Sequence, residues 1–230
     1  LKVIVGLPWS QHVAFLDSAA VQQKIRATVV GGVRACARHT AILAYLVGNE
    51  IPPDIVRWHG AEPVRRFLKG LVALVKQEHP GALVSYANFP STEYLTIDFT
   101  DFLCFNVYLH DEAAFRRYIA RLHNLAVDRP LVLTEFGVDS MRAGAEEQRR
   151  MLSWQVRAAF TAGVAGTVVF AWTDEWFTGG HAVEDWAFGL VDRERRPKPA
   201  LAEVARRYEG RLPPPLPRYP RVSVVVCAYN

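Results

Sequence analysis

"RPLVLTEFGVDS", residues 129–140, decides the fold. Leu131, Val132 and Leu133 are apolar and Thr134 is β-branched, so the stretch reads as a strand buried on both faces. It then stops on Glu135, followed by Phe136 and Gly137. A carboxylate at the exit of a dry strand costs free energy unless it is paired or stands at a solvent-filled mouth. The same pattern occurs earlier. In "ILAYLVGNEIPP", residues 42–53, an apolar run ends on Asn49 and Glu50.

Working outward, four more apolar runs read as strands, at 1–8, 82–87, 102–108 and 166–172. Amphipathic helical patterns lie between them at 19–39, 61–79, 111–124 and 144–162, with a last one at 199–209. Only the connection 88–101 is short and irregular. Strand–helix alternation with near-continuous apolar strands predicts an α/β fold on a parallel sheet. No GxGxxG or GxxxxGK turn follows any strand, so the nucleotide-binding open sheet lacks its signature. Trp9, Glu50, Asn88, Tyr108, Glu135 and Trp172 all fall at C-terminal strand ends, where a (β/α)8 TIM barrel keeps its functional residues.

A full barrel has eight units in about 250 residues. Six strands within 1–209 therefore predict a barrel that lacks its two N-terminal βα units in this chain, roughly 60 residues at about 30 per unit. Residue 1 is Leu inside an apparent strand, so a signal peptide is neither visible nor excluded. Residues 210–221, "GRLPPPLPRYPR", read as a stiff Pro-rich linker. "VSVVVCAYN", 222–230, reads as the first strand of a second domain.

Composition narrows the classes. Half the chain is hydrophobic and 22% is charged, enough for a core and too apolar for disorder. The net charge of +4 comes from interspersed residues, and the Arg-Arg pairs fall in amphipathic helical patterns. No basic block interleaves with stacking aromatics, so nucleic acid is not an expected partner. The longest apolar stretch, 158–172, is shorter than the ~20 residues of a membrane span. Cys36, Cys104 and Cys227 are odd in number and far apart; Cys36, in a helical pattern, and Cys104, in an apolar strand, read as reduced core thiols. The seven His form no HExxH or carboxylate–His cluster, so neither a metal nor a cofactor is expected.

Two carboxylates at the mouths of two barrel strands can converge on one pocket. A close pair can run double-displacement glycoside hydrolysis: one attacks the anomeric carbon, while the other protonates the leaving oxygen and then activates water. Mutual repulsion raises one pKa and keeps a proton available near neutral pH. Each side chain also has a plainer role open to it. Tyr108 and Trp172 suit aromatic core caps, Trp9 suits packing, and Asn49 suits a turn before Pro52-Pro53. Asp174 and Glu175, in "TDEWFTGGH", read as loop acids.

"GNE" (48–50) and "TEFG" (134–137) resemble the carboxylate pair of clan A glycoside hydrolases, where they end the fourth and seventh barrel strands. The six strands here would then be the third to eighth. The likeness covers residues 1 to about 209 and is nearest the catalytic barrel of family 2, with "GLPWSQH" (6–12), "FNVYLH" (105–110), "FAWTDEW" (170–176) and "FGLVDRERRPKPAL" (188–201) in matching places. The resemblance implies a retaining β-glycoside hydrolase or transglycosylase acting on an oligo- or polysaccharide. It implies Glu50 as acid/base, Glu135 as nucleophile and Asn49 as donor to the sugar 2-hydroxyl. Tyr108 would orient Glu135 and Trp172 would floor the sugar subsite, with Trp9, Asn88 and Trp176 as further contacts. "RVSVVVCAYN" (221–230) is similar to the opening of family 2 glycosyltransferases. A fused transferase using nucleotide sugars, with the unpaired cysteines, implies a cytoplasmic location. The alternative reading is a non-catalytic carbohydrate-binding barrel serving that transferase.

Overall fold

The structure, a computed structural model, describes residues 2–209; the linker and the strand expected beyond it lie outside the described residues. Six parallel strands form one sheet: β1 (Val3–Gly6), β2 (Ile42–Asn49), β3 (Leu83–Asn88), β4 (Leu103–Asn106), β5 (Leu131–Glu135) and β6 (Gly166–Thr167). Their order in the sheet is their order in the chain, with no reversal. A doubly wound sheet needs a reversal to place helices on both faces. Continuous winding instead puts every crossover helix on one face of a curled sheet, a half-barrel compatible with part of a (β/α)8 barrel.

The long helices are α1 (Ala19–Cys36), α3 (Ala61–Glu78), α4 (Glu112–Ala126) and α6 (Ala145–Thr161), followed by α7 (Pro199–Tyr208). Each turns an apolar stripe to the outer face of the sheet. Ile25, Val29 and Val33 of α1, spaced by four, join Val64, Phe67, Leu68 and Leu71 of α3 against Tyr45, Val47, Val84 and Tyr86. Phe115, Ile119 and Leu122 of α4 and Leu152 of α6 pack likewise with Leu103, Phe105, Leu131 and Leu133. The inner face holds a smaller cluster of Ala44, Ala87, Phe102 and Cys104, with Ile4, Leu46 and Val132 half-buried beside it. Burial pushes the Cys104 thiol up to about 12. Among the described residues, β1 and β6 each pair along one edge only.

Several short elements add to the expected set. Pro52-Pro53 opens a short helix, α2 (Pro53–His59), which Gly60 at φ 82° separates from α3. The stretch expected to be an open loop carries a two-stranded hairpin, β7 (Phe177–Thr178) with β8 (His181–Ala182). Gly179 and Gly180, at φ 57° and 84°, supply the left-handed turn that joins them. The strand expected over 166–172 is regular only to Thr167. Beyond it the chain still runs beside the β5 exit, with Val168 N–H donating to the Leu133 carbonyl (2.8 Å) and Phe170 N–H to that of Phe136 (3.0 Å). The short helix α5 (Ser140–Ala143) fills the turn before α6.

The segment after β6 is pinned rather than loose. Lys198 Nζ donates to Asp174 Oδ1 (2.7 Å), Ser140 Oγ (2.8 Å) and the Ala187 carbonyl (3.1 Å). Gly189 N–H donates to the same Asp174 oxygen (2.7 Å). A Cβ on Gly189 would meet Asp174 N, Thr173 C and Val191 O, all at 2.4 Å. All three are backbone atoms and cannot swing away. Gly189→Ala is therefore expected to cost about 3 kcal/mol or more, read as a lowered midpoint in urea unfolding.

Candidate active site

The exit of β2 is built by using up its backbone donors. Asn49 N–H donates to Gln11 Oε1 (3.0 Å), Glu50 N–H to the Ala87 carbonyl (2.9 Å) and Ile51 N–H to the Tyr86 hydroxyl (2.8 Å). Held this way, Glu50 adopts φ 48°, a left-handed conformation that costs a residue with a side chain on the order of 1–3 kcal/mol. The register of β2 against β3 shifts between Leu46 and Asn49, and that of β4 against β5 shifts between Phe105 and Asn106. Both irregularities lie at the C-terminal ends of their strands, where bulges re-aim side chains.

Asn106, which the sequence reading did not single out, is the hub. It is buried at the end of β4 and lies opposite Glu135 in the ladder. Its Nδ2 donates to Asn49 Oδ1 (3.0 Å) and to Glu50 Oε1 (2.9 Å), and its Oδ1 accepts from Thr134 Oγ1 (2.7 Å). With its Nδ2 donating twice and its Oδ1 accepting, the whole amide of Asn106 is engaged. Asn106 also lies beside the Glu135 carboxyl and favours its ionised form. One amide therefore bonds the acid at the exit of β2 and stands next to the acid that ends β5.

Tyr108 completes the arrangement. Its ring is 37% exposed, but its hydroxyl donates to Glu135 Oε2 (2.7 Å). Desolvation of that hydroxyl and the adjacent Glu135 charge hold the phenol far above its ordinary pKa, so it stays a donor. Burial pushes the Glu135 carboxyl up to about 7; the Glu50 charge adds to the rise, while the Tyr108 hydrogen bond and the neighbouring Asn106 amide oppose it. Near neutral pH Glu135 is thus poised between its protonated and ionised forms.

The other expected residues divide. Asn88 keeps the side-chain parity of Val84 and Tyr86 and turns outward from the barrel. Its Nδ2 donates to the Thr92 and Leu95 carbonyls, and its Oδ1 accepts from Phe89 N–H and Thr92 Oγ1. That saturates the amide and leaves nothing for a sugar. Trp9 packs on Phe15 and Phe67 (5.1 and 6.1 Å between ring centres) and donates to the Val47 carbonyl (2.7 Å), a packing role. Trp172 is 60% exposed. The ring beside Tyr108 from this segment is Phe170 (6.3 Å, nearly perpendicular). Phe170 in turn touches Trp176 (5.1 Å), Trp186 (5.8 Å) and Phe188 (5.6 Å), a wall that forms only once the β7–β8 hairpin folds back. Asp174 is held by Lys198, and Glu175 pairs with Arg195.

Among the described residues, no group of three His, Cys, Asp or Glu could hold a metal ion, and no helix is long and apolar enough to cross a membrane. No protein-family model and no curated protein matches the sequence. Solved structures do match in fold. One is a Bifidobacterium dentium β-glucuronidase complexed with coumarin-3-O-glucuronide, 19% identical with a TM-score of 0.71 over 84% of this chain and 34% of that one. Another is a GH2 β-galacturonidase from Eisenbergiella tayi bound to galacturonate, 20% identical, TM-score 0.70, covering 83% and 37%. A third is a GH5 subfamily 18 protein from Streptomyces cattleya in complex with Manβ1-4GlcNAc, 21% identical, TM-score 0.67, covering 87% and 57%. The chain spans about a third of the length of the first two. These likenesses establish the fold, a curled parallel α/β sheet of the kind found in glycoside hydrolase barrels.

Proposed function

We propose that the chain carries the active site of a retaining β-glycoside hydrolase or transglycosylase, with Glu135 as nucleophile and Glu50 as acid/base. The observation that carries this reading is Asn106, a buried amide that donates to Glu50 and lies opposite Glu135, so that both acids meet at one side chain and the Glu50 charge acts on Glu135. Two carboxyls brought together in this way suit direct attack on the anomeric carbon, which uses a pair about 5–5.5 Å apart. Glu50 would give its proton to the leaving oxygen as Glu135 attacks. It would then take a proton from the water, or the sugar acceptor, that releases the glycosyl group. Tyr108 would orient Glu135. Asn49, its Oδ1 occupied by Asn106, has its amide nitrogen free to donate to a sugar hydroxyl. The exposed rings of Trp172 and Trp176 would receive the apolar faces of sugar rings.

The free edges of β1 and β6, with Ile4, Leu46 and Val132 half-buried on the inner face, support closure by two further βα units into an eight-stranded barrel. A domain after residue 222, of glycosyltransferase type, rests on the sequence resemblance.

Incubating the intact protein with a panel of 2-deoxy-2-fluoro glycosides should leave a glycosyl adduct on Glu135, found by peptide mass spectrometry and absent in Glu135→Gln. Oligosaccharide binding with no adduct from any sugar would instead make the barrel a non-catalytic binding module. The pH profile gives an independent expectation. Attack needs ionised Glu135, so kcat/KM should fall as pH drops through about 7. Tyr108→Phe removes a donor that favours the ionised form, and the limb should move to higher pH.

A further inference from the structure

The loop after β1 reaches the exit of β2 through side chains. Among the described residues, the last backbone bond along this seam runs from Leu7 N–H to the Leu46 carbonyl (2.9 Å). Beyond it, two side chains continue the ladder. Trp9 Nε1 donates to the Val47 carbonyl (2.7 Å), and Gln11 Oε1 accepts from Asn49 N–H (3.0 Å). Both are anchored. The Trp9 ring packs on Phe15 and Phe67 and closes on Gly48, where a Cβ would stand 3.2 Å from it. Gln11 N–H donates to the Trp9 carbonyl (2.9 Å). A backbone N–H can only donate, so it is the amide oxygen of Gln11 that meets Asn49.

We propose that Gln11 is a positioning residue for Glu50: it holds the turn of backbone from which the acid/base projects. The proposal rests on the glycosidase reading for the role of Glu50. Glu50 adopts φ 48°, a conformation that persists only where its surroundings enforce it. From the β3 side, the Ala87 carbonyl holds Glu50 N–H and the Tyr86 hydroxyl holds Ile51 N–H. Asn106 holds the Glu50 carboxyl. From the β1 side, among the described residues, the hold on 49–51 comes from Gln11. Without that acceptor the Asn49 peptide is free to turn and Glu50 relaxes toward an ordinary backbone conformation. Its carboxyl then leaves the position from which it protonates the leaving oxygen. Among the described residues, Gln11 bonds neither carboxyl, so its loss falls on the proton-transfer step rather than on the nucleophile.

The test is a pair of variants in the intact protein. Gln11→Met keeps the length of the side chain and removes the acceptor, whereas Gln11→Glu keeps an acceptor for Asn49 N–H. On aryl glycosides, kcat/KM reports the step in which the leaving group departs. In Gln11→Met it should fall about tenfold for poor leaving groups that need the proton, and less than about twofold for nitrophenolates that depart without it. Gln11→Glu should recover most of that loss. Hydrogen exchange read by mass spectrometry is independent of activity: the Asn49 amide should exchange about tenfold faster in Gln11→Met and at the unaltered rate in Gln11→Glu. An equal loss for every leaving group, an equal loss in the two variants, or unchanged exchange at Asn49 in Gln11→Met would each overturn the role of Gln11 and leave the hydrolase reading standing. An unaltered protein that turns over no glycoside would overturn that reading, and the role of Gln11 with it.

Discussion

Glu135→Gln is expected to lower kcat by roughly 10⁴-fold or more while leaving the fold intact. Gln is isosteric and keeps an oxygen for Tyr108 to donate to, so the change removes the attacking charge and little else. It also removes a carboxyl whose charged form burial disfavours, so thermal stability should rise slightly at pH values above about 7 and stay unchanged below 4. The sign follows from a folded-state pKa raised above the ordinary value: the ionised form destabilises the fold only where it is populated. Glu50→Gln should cost roughly 10²–10⁴-fold on glycosides with poor leaving groups and much less where the leaving group departs without a proton. The double variant should be about as slow as Glu135→Gln alone, because the two act on one reaction coordinate. Stopped assays on a panel of aryl glycosides check all three. Additive losses would show that the glutamates work in separate places.

Asn106→Ala carries the second large effect. It frees Glu50 and Asn49 from their shared donor and takes from beside Glu135 an amide that favours its ionised form. It also leaves the buried Thr134 hydroxyl without its acceptor, at about 1–3 kcal/mol of stability. Misplacing a catalytic carboxyl by about an ångström can cost 10²-fold, so kcat should fall by about that much with KM less affected. The acidic limb of the pH profile should shift upward in the same variant. A purely structural Asn106 would lower stability and leave the limb where it was. Asn106→Asp should be worse for activity than Ala, since a third carboxyl replaces the donor between two others.

Two residues of the candidate site are conspicuous in the sequence, for a reason particular to them. A glutamate that ends an apolar strand is expensive, so Glu50 and Glu135 stood out against the runs before them, and strand alternation placed both at one mouth of the sheet. Asn106 did not stand out. An amide inside "LCFNVY" passes as a buried polar residue, and only the register shift beside it turns it toward both acids. Asn88 also stands at a strand end, but its parity sets it apart from the inner face. Counting by two from Val84 and Tyr86 turns it outward. The aromatic wall needed the hairpin. Trp186 and Phe188 lie far along the chain from Tyr108, and no local pattern announces that two glycines at 179 and 180 will fold them back. Phe170, which the sequence did not single out, is the ring the chain after β6 sets against Tyr108, and Trp172 beside it stays exposed.

Cys104, on the inner face, has a practical consequence. A thiol is reactive as the thiolate, and one buried with its pKa near 12 is almost never in that form at neutral pH. Alkylation at this position must therefore wait for the sheet to open, which makes it a clock for breathing of the barrel interior. Half-buried Cys36, in the same molecule, supplies the reference rate for a more accessible thiol. Iodoacetamide labelling followed by peptide mass would time that opening with and without bound sugar. A ligand that seals the mouth would slow the clock at Cys104 and leave Cys36 untouched.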